Sequence, residues 1–175
     1  ATPQKFAIVL SDGNRRLTIP YELIQKRAEP KRIDGSDVLY LIMPDRFANG
    51  DPSLDQLTSM DEGLNRDFHS GKHGGDIKGI INHMDYIVDL GVTTIWLNPV
   101  YENNMKQYSY HGYSITDHYR VDPRLGDLST YKQMCDMAHN KGLKVIKDMI
   151  FNHIGLYHYW MKDMPDEDWI HQWGE

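Results

Sequence analysis

Apolar residues follow two rhythms along this chain. VLYLIM (38–43) is a continuous apolar run, the pattern of a parallel strand buried on both faces. Residues 44–75 follow as a long loop rich in Asp, Asn and Gly. Ile77, Ile80, Ile81, Met84, Ile87 and Val88 then recur at helical spacing, with Asp76 at the N-cap position and Gly91 closing the helix. VTTIWL (92–97) predicts a second strand, and a polar, aromatic loop runs from it to about residue 126. A second helix places Leu128, Tyr131, Met134, Cys135 and Ala138 on one face and ends at Gly142; LKVIKDM (143–149) predicts a third strand. Strand, helix, strand, helix, strand is the order of parallel βαβ units.

The long insertions all follow strands at their C-terminal ends, where barrel enzymes build their sites. The expected fold class is α/β: the first three βα units of a (β/α)8 TIM barrel over residues 37–154, since a complete barrel needs about 250 residues. Residues 155–175 read as the start of a loop or subdomain after the third strand. At the other end, FAIVL and RRLTI flank the turn SDGN, predicting a hairpin within residues 1–24. Two strands alone make no stable domain, so the hairpin reads as the last one of a β-sandwich. Residues 25–36, charged and carrying Pro30 and Gly35, read as a linker.

Composition narrows the classes. With 175 residues and 40% hydrophobic content, the chain can bury one core. A net charge of −6 and no run of Lys or Arg argue against nucleic acid. Cys135 is the single cysteine, which excludes an internal disulfide. No apolar run approaches the roughly 20 residues of a membrane span. ATPQKF carries neither a start Met nor a signal-peptide pattern, which suggests a chain processed or cut from something longer.

Candidate chemistry sits after the strands. The third run ends in a carboxylate, Asp148, and Asn152 and His153 follow in DMIFNH. A buried strand has no use for charge at its tip, whereas an active-site rim does; the plain alternative is a charged strand cap and a loop His. In YSYHGYSITDHY (108–119), Gly112 precedes Tyr113, so the ring can stand free over a pocket. An aromatic platform buries the flat face of a sugar at little entropic cost; a surface loop stiffened by aromatics is the other reading. PDRFANGDPSLD with HGGDI supplies Asn49, Asp51, Asp55 and Asp76, four oxygen donors, and a Gly carbonyl adds a fifth. Hard cations such as calcium take about six to eight such oxygens. Turn residues plus one N-cap would look the same by spacing alone.

In order, these motifs resemble the alpha-amylase family of glycoside hydrolases over roughly residues 38–155. DMIFNH is similar to the family's first signature, an Asp, three residues, then Asn-His after strand three. YHGYSITDHYRVDPRLG resembles its strand-two loop. VLYLIMPDRFANGDPS with GGDIKGI resembles the strand-one region of cyclomaltodextrinases, neopullulanases and cyclodextrin glucanotransferases. The resemblance implies that Tyr113 stacks on the sugar at the cleavage subsite, His153 bonds its primary hydroxyl and Asp148 orders the pocket floor. His111 and Asn152 complete the implied substrate-binding set. In many amylases the residue at Asn152 ligates a second calcium; in the cyclomaltodextrinase-like group it often does not. Asn49, Asp51, Asp55, Asp76 and the Gly74 carbonyl would hold calcium. Leu54 departs from the pattern, standing where relatives often have Asn. The hairpin resembles the end of the β-sandwich that precedes the barrel in that group.

The implied function is a fragment of a retaining hydrolase of α-1,4-glucans: maltodextrin, cyclodextrin, pullulan or starch. Retaining glycosidases need two carboxyl groups about 5 Å apart. In the family these follow strands four and five, and a third Asp follows strand seven, so the 175 residues should carry one wall of the site and no catalytic residue. A non-catalytic sugar-binding or transporter-associated domain is the alternative, and the intact DMIFNH and HGY favour the enzyme. The implied partner is an α-glucan oligosaccharide, with no nucleic acid and no membrane span. A homodimer of the intact protein stays open, as do periplasmic, secreted and cytoplasmic locations in a bacterium.

Overall fold

The structure is a computed structural model that describes residues 4–23, 32–171 and 173. Two compact units divide the chain, residues 1–33 and 34–175. In the first, β1 (Gln4–Ser11) and β2 (Arg16–Leu23) pair antiparallel, Ser11 opposite Arg16. The turn is made as its residues dictate: Asp12 Oδ1 accepts from the backbone N–H of Asn14 at 2.9 Å and of Arg15 at 2.7 Å, and Gly13 takes φ 92°. Every residue of β1 is exposed. Most of the expected linker lies outside the described residues; Asp34–Ser36 form an exposed turn in which Asp34 Oδ1 accepts from the Ser36 amide at 2.9 Å.

The second unit is built on a parallel sheet of β3 (Leu39–Ile42), β4 (Thr94–Leu97) and β7 (Lys144–Lys147), ordered β3-β4-β7. Each strand is shorter than the apolar run that predicted it. Helices α2 (Ile77–Asn82) and α3 (Met84–Asp89) connect β3 to β4, and α4 (Leu128–Asn140) connects β4 to β7. Ile42, Ile95 and Leu97 of the sheet pack with Ile77, Ile80, Met84, Ile87, Met134 and Ala138 of the helices in one core. Truncating such a fully buried side chain, Ile80→Ala for instance, costs about 2–5 kcal/mol.

Four expectations change. Burial on both faces is not seen in these residues alone: Leu39 and Leu41 are 45% and 57% exposed and Trp96 39%, on the face opposite the one, carrying Ile42, Ile95 and Leu97, that the core helices cover; in a closed barrel that opposite face is the filled interior. The helix expected over 77–91 is two helices, broken at His83, whose φ/ψ of −110°/17° is not helical. Its ring Nδ1 bonds the Gly79 carbonyl at 2.8 Å and so shares the acceptor of its own backbone N–H. Leu128 is 58% exposed rather than on the buried face of α4. The two long loops also hold regular structure. Residues 44–75 contain α1 (Pro44–Phe47) and a 3-10 turn at Pro52–Leu54. Beyond β4, β5 (Tyr101–Glu102) pairs antiparallel with β6 (Asp117–Val121). Short 3-10 turns at Tyr159–Met161 and Glu167–Trp169 shape the segment after β7.

At the N-terminal ends of the strands, Asp37 ties the sheet together. Its carboxylate accepts from Lys144 Nζ at 2.6 Å, from the Asp34 amide at 2.9 Å and from the Thr93 hydroxyl at 2.7 Å. These donors hold the Asp37 carboxyl far below the usual carboxylate range, Lys144 contributing most. A depressed folded value means stabilisation that is present above the unfolded pKa of about 4 and is lost as pH falls through the folded value. Asp37→Asn should therefore lower the Tm at pH 7, and the gap to wild type should close as pH drops from about 5 toward 2. A gap of equal size at both ends of a pH series of thermal melts would refute this role.

Candidate functional site

Tyr113 is aimed by a turn that only glycine can make. Gly112 has φ 83°, and a Cβ there would lie 2.2 Å from the Pro99 carbonyl oxygen. The turn brings Tyr113 to the C-terminal end of β7, where its hydroxyl donates to Asp148 Oδ2 at 2.9 Å. From the next loop, His153 Nε2 donates to the Tyr113 carbonyl at 3.0 Å. A carbonyl only accepts, so Nε2 carries the proton and Nδ1 is left as an acceptor, 3.5 Å from Asn152 Nδ2. His111 Nδ1 accepts from the Tyr113 amide at 2.9 Å, and the two rings lie 5.7 Å apart. The structure thus brings Tyr113, Asp148, His153, Asn152 and His111 together. It corrects one expectation: the Tyr113 ring is not free-standing but anchored by its hydroxyl.

The electrostatics suit a neutral, polar surface. Burial pushes the His111 imidazole below its usual pKa, partly opposed by the Glu62 charge. Burial and the Asp148 carboxylate raise the Tyr113 phenol, so it stays protonated. Asn152 and His153 are exposed and border an open cavity of about 660 Å³ lined also by Phe151, Tyr101, Trp160 and Trp169. Hydrogen-bonding groups beside apolar rings are what a sugar needs, since it carries hydroxyls on its edges and C–H on its faces.

The expected metal residues meet in pairs rather than around one point. Asn49 Nδ2 donates to Asp55 Oδ1 at 2.7 Å, and a Cβ on Gly74 would lie 2.4 Å from that same Asp55 oxygen. Asp76 caps α2, Oδ1 accepting from the Gly79 amide at 2.6 Å; its Oδ2 accepts from the amides of Gly50 and Asp51 at 3.0 and 2.8 Å. Asp51 Oδ1 is engaged by Ser53, whose hydroxyl and amide hold the Asp51 carboxyl below the usual range. Asp51 and Asp76 thus occupy turn and N-cap positions. The Asn49 Oδ1 atom, however, is buried without a partner, and an amide oxygen is among the donors a hard cation takes. Among the described residues no three carboxylate, imidazole or thiolate side chains converge on a metal; a cation here would lean on the Asn49 amide and the Gly74 carbonyl. Leu54 contributes no side-chain oxygen here.

Sequence reasoning missed the supports of the Tyr113 loop. Glu62 accepts from the amides of Tyr108 and Ser109 at 3.1 and 2.7 Å and from the Ser109 hydroxyl. Those contacts hold Tyr108 at φ 64°, the one positive φ outside glycine among the described residues. Buried Arg124 binds the Asp122 carboxylate at 2.8 Å and the carbonyls of Glu62 and Asn103 at 2.9 and 2.8 Å. Burial raises the Asp122 carboxyl, but Arg124 and the more distant Lys72 more than offset it, leaving it low. Asp45 receives the amides of His73 at 2.9 Å and Gly74 at 3.3 Å. Its place in PDRF could have flagged it; Glu62 lies in unpatterned loop and carries no sequence signal.

The alpha-amylase catalytic domain family matches residues 41–173. The chain belongs to the alpha-amylase family. Neopullulanase 2 of Thermoactinomyces vulgaris is 38% identical over 128 residues, 73% of this chain and 21% of that protein. A cyclomaltodextrinase of Geobacillus thermopakistaniensis is 39% identical over 118 residues, 67% of this chain and 19% of its own length. The crystal structure of an Anoxybacillus alpha-amylase superposes with a TM-score of 0.70 at 39% identity, over 78% of this chain and 28% of that one. The chain thus spans about a fifth of the length of these curated relatives. The parallel sheet with its helices is part of the family's TIM barrel. Among the described residues no helix is long and apolar enough to cross a membrane.

Proposed function

We propose that the chain forms the first three βα units of the barrel of a retaining α-1,4-glucan hydrolase, acting on maltodextrins, cyclodextrins or pullulan. Tyr113, His111, Asp148, Asn152 and His153 hold one glucose unit at the cleavage point. What carries this reading is the Tyr113–Asp148–His153 constellation at the C-terminal ends of adjacent parallel strands, the end where barrel enzymes act. The residues orient the sugar and keep its ring near the reacting groups; bond cleavage belongs to a carboxylate pair elsewhere in the barrel. The test is NMR of the first sugar released by the full-length protein. Retention of anomeric configuration is expected, and inversion would overturn the proposal. Hairpin β1–β2 fits the end of a preceding sandwich, since Phe6, Ile8, Leu10, Leu17, Ile19 and Tyr21 form one exposed apolar face that a second sheet would cover.

Calcium belongs to the same reading. Asn49, Asp51, Asp55, Asp76 and the Gly74 carbonyl would hold it, and the ion would neutralise the carboxylates and brace the loop after β3. Calcium should raise the Tm of the full-length protein and chelation should lower it. Asp51→Ala should abolish that response, apart from any constant loss due to the missing Ser53 cap. An undiminished calcium response in Asp51→Ala rules out Asp51 as a ligand.

A further inference from the structure

Three buried groups face one small cavity with hydrogen-bonding capacity to spare. Lys72 is 3% exposed, and among the described residues its ammonium meets one carboxylate oxygen, Asp45 Oδ1, at 3.0 Å. An ammonium has three N–H donors. Asn98 and Asn103 are 3% and 1% exposed, and the Oδ1 atom of each has no partner. Their amide orientations are fixed from the other side. Asn98 Nδ2 donates to the His111 carbonyl at 3.1 Å and Asn103 Nδ2 to the Ser109 carbonyl at 3.2 Å. Flipping either amide would set oxygen against oxygen, so the free acceptors are real. Lys72, Asn98 and Asn103 line a shared cavity of about 10 Å³, room for the centre of one water molecule.

We propose that a single water is a built-in part of this protein, held between Lys72 Nζ, Asn98 Oδ1 and Asn103 Oδ1. The valences match: water donates two hydrogens, one to each amide oxygen, and accepts one from the ammonium. A metal cation does not match, because the ammonium has no lone pair to offer it, although the buried Asp122 carboxylate also lines the cavity. The water joins two segments that share no strand. Lys72 is fixed to Asp45, which also receives the amides of His73 and Gly74. Asn98 and Asn103 hold the carbonyls of His111 and Ser109, in the turn that aims Tyr113. Lys72 is thereby a positioning residue: it sets the sugar platform through the water. This second half rests on the proposed sugar site; the water itself does not.

The test begins with a crystal structure of the full-length protein at a resolution that orders interior water. One density peak is expected within about 2.7–3.2 Å of all three atoms. Its absence, or a direct Lys72–Asn contact in its place, overturns the proposal even where no variant folds. Lys72→Met keeps the stem and removes the donor. It should weaken or abolish the peak and raise KM for maltoheptaose about tenfold, with kcat within about twofold. Tyr113→Ala is the control. If Tyr113→Ala raises KM and Lys72→Met does not, the positioning role is wrong. If Tyr113→Ala has no effect, the sugar reading falls, and the density still decides the water.

Discussion

The 175-residue chain, produced by itself, should release no reducing sugar from cyclodextrin or maltoheptaose. A retaining glycosidase needs a nucleophile and a general acid about 5 Å apart. On the proposed reading that pair follows the fourth and fifth barrel strands, whereas β3, β4 and β7, adjacent in one parallel sheet, would be the first three. On that reading these residues contribute a surface for holding a sugar, and holding without a nucleophile breaks no glycosidic bond. The assay is reducing-sugar release over long incubation at high protein concentration, with the full-length protein as positive control. Reproducible release by pure 1–175 that scales with protein would show that the assignment of strands, or of the chemistry, is wrong.

His153→Ala in the full-length protein should lower kcat/KM by about ten- to a hundred-fold, equivalent to losing a hydrogen bond of about 1.5–3 kcal/mol. With its Nε2 proton given to the Tyr113 carbonyl at 3.0 Å, the ring has Nδ1 left for a sugar hydroxyl on the proposed reading. That bond should strengthen as the sugar distorts toward an oxocarbenium ion, so both kcat and KM should respond. Tyr113→Ala should act mainly on KM, because stacking is present in the ground state too. It also strips Asp148 Oδ2 of its phenol donor, which Tyr113→Phe does while keeping the ring. Phe should therefore recover most of the binding lost in Ala. Steady-state kinetics with thermal melts as the folding control separate these cases. Unchanged kinetics in both His153→Ala and Tyr113→Ala would mean that DMIFNH and HGY serve structure alone.

The sequence by itself determined the order of elements. Continuous apolar runs gave β3, β4 and β7, and apolar residues at helical spacing gave the core faces of α2, α3 and α4, because burial imposes those periods on any chain. Asp76 as an N-cap was legible from composition and position, as was the SDGN turn. That DMIFNH and HGY would meet was legible because both crowd unusual residue types into a loop after a strand. Only the tertiary structure decided the rest. The break at His83 depends on a ring reaching back to the Gly79 carbonyl, a choice invisible to periodicity. Which side of the sheet the helices cover, the one carrying Ile42, Ile95 and Leu97 rather than Leu41 and Trp96, is likewise not written in a continuous apolar run. Anchoring of Tyr113 by Asp148 joins residues 35 apart in sequence, and Glu62 reaches Ser109 across 47. Hydrogen bonds of that kind leave no periodic trace, since they depend on where loops converge in space and not on spacing along the chain.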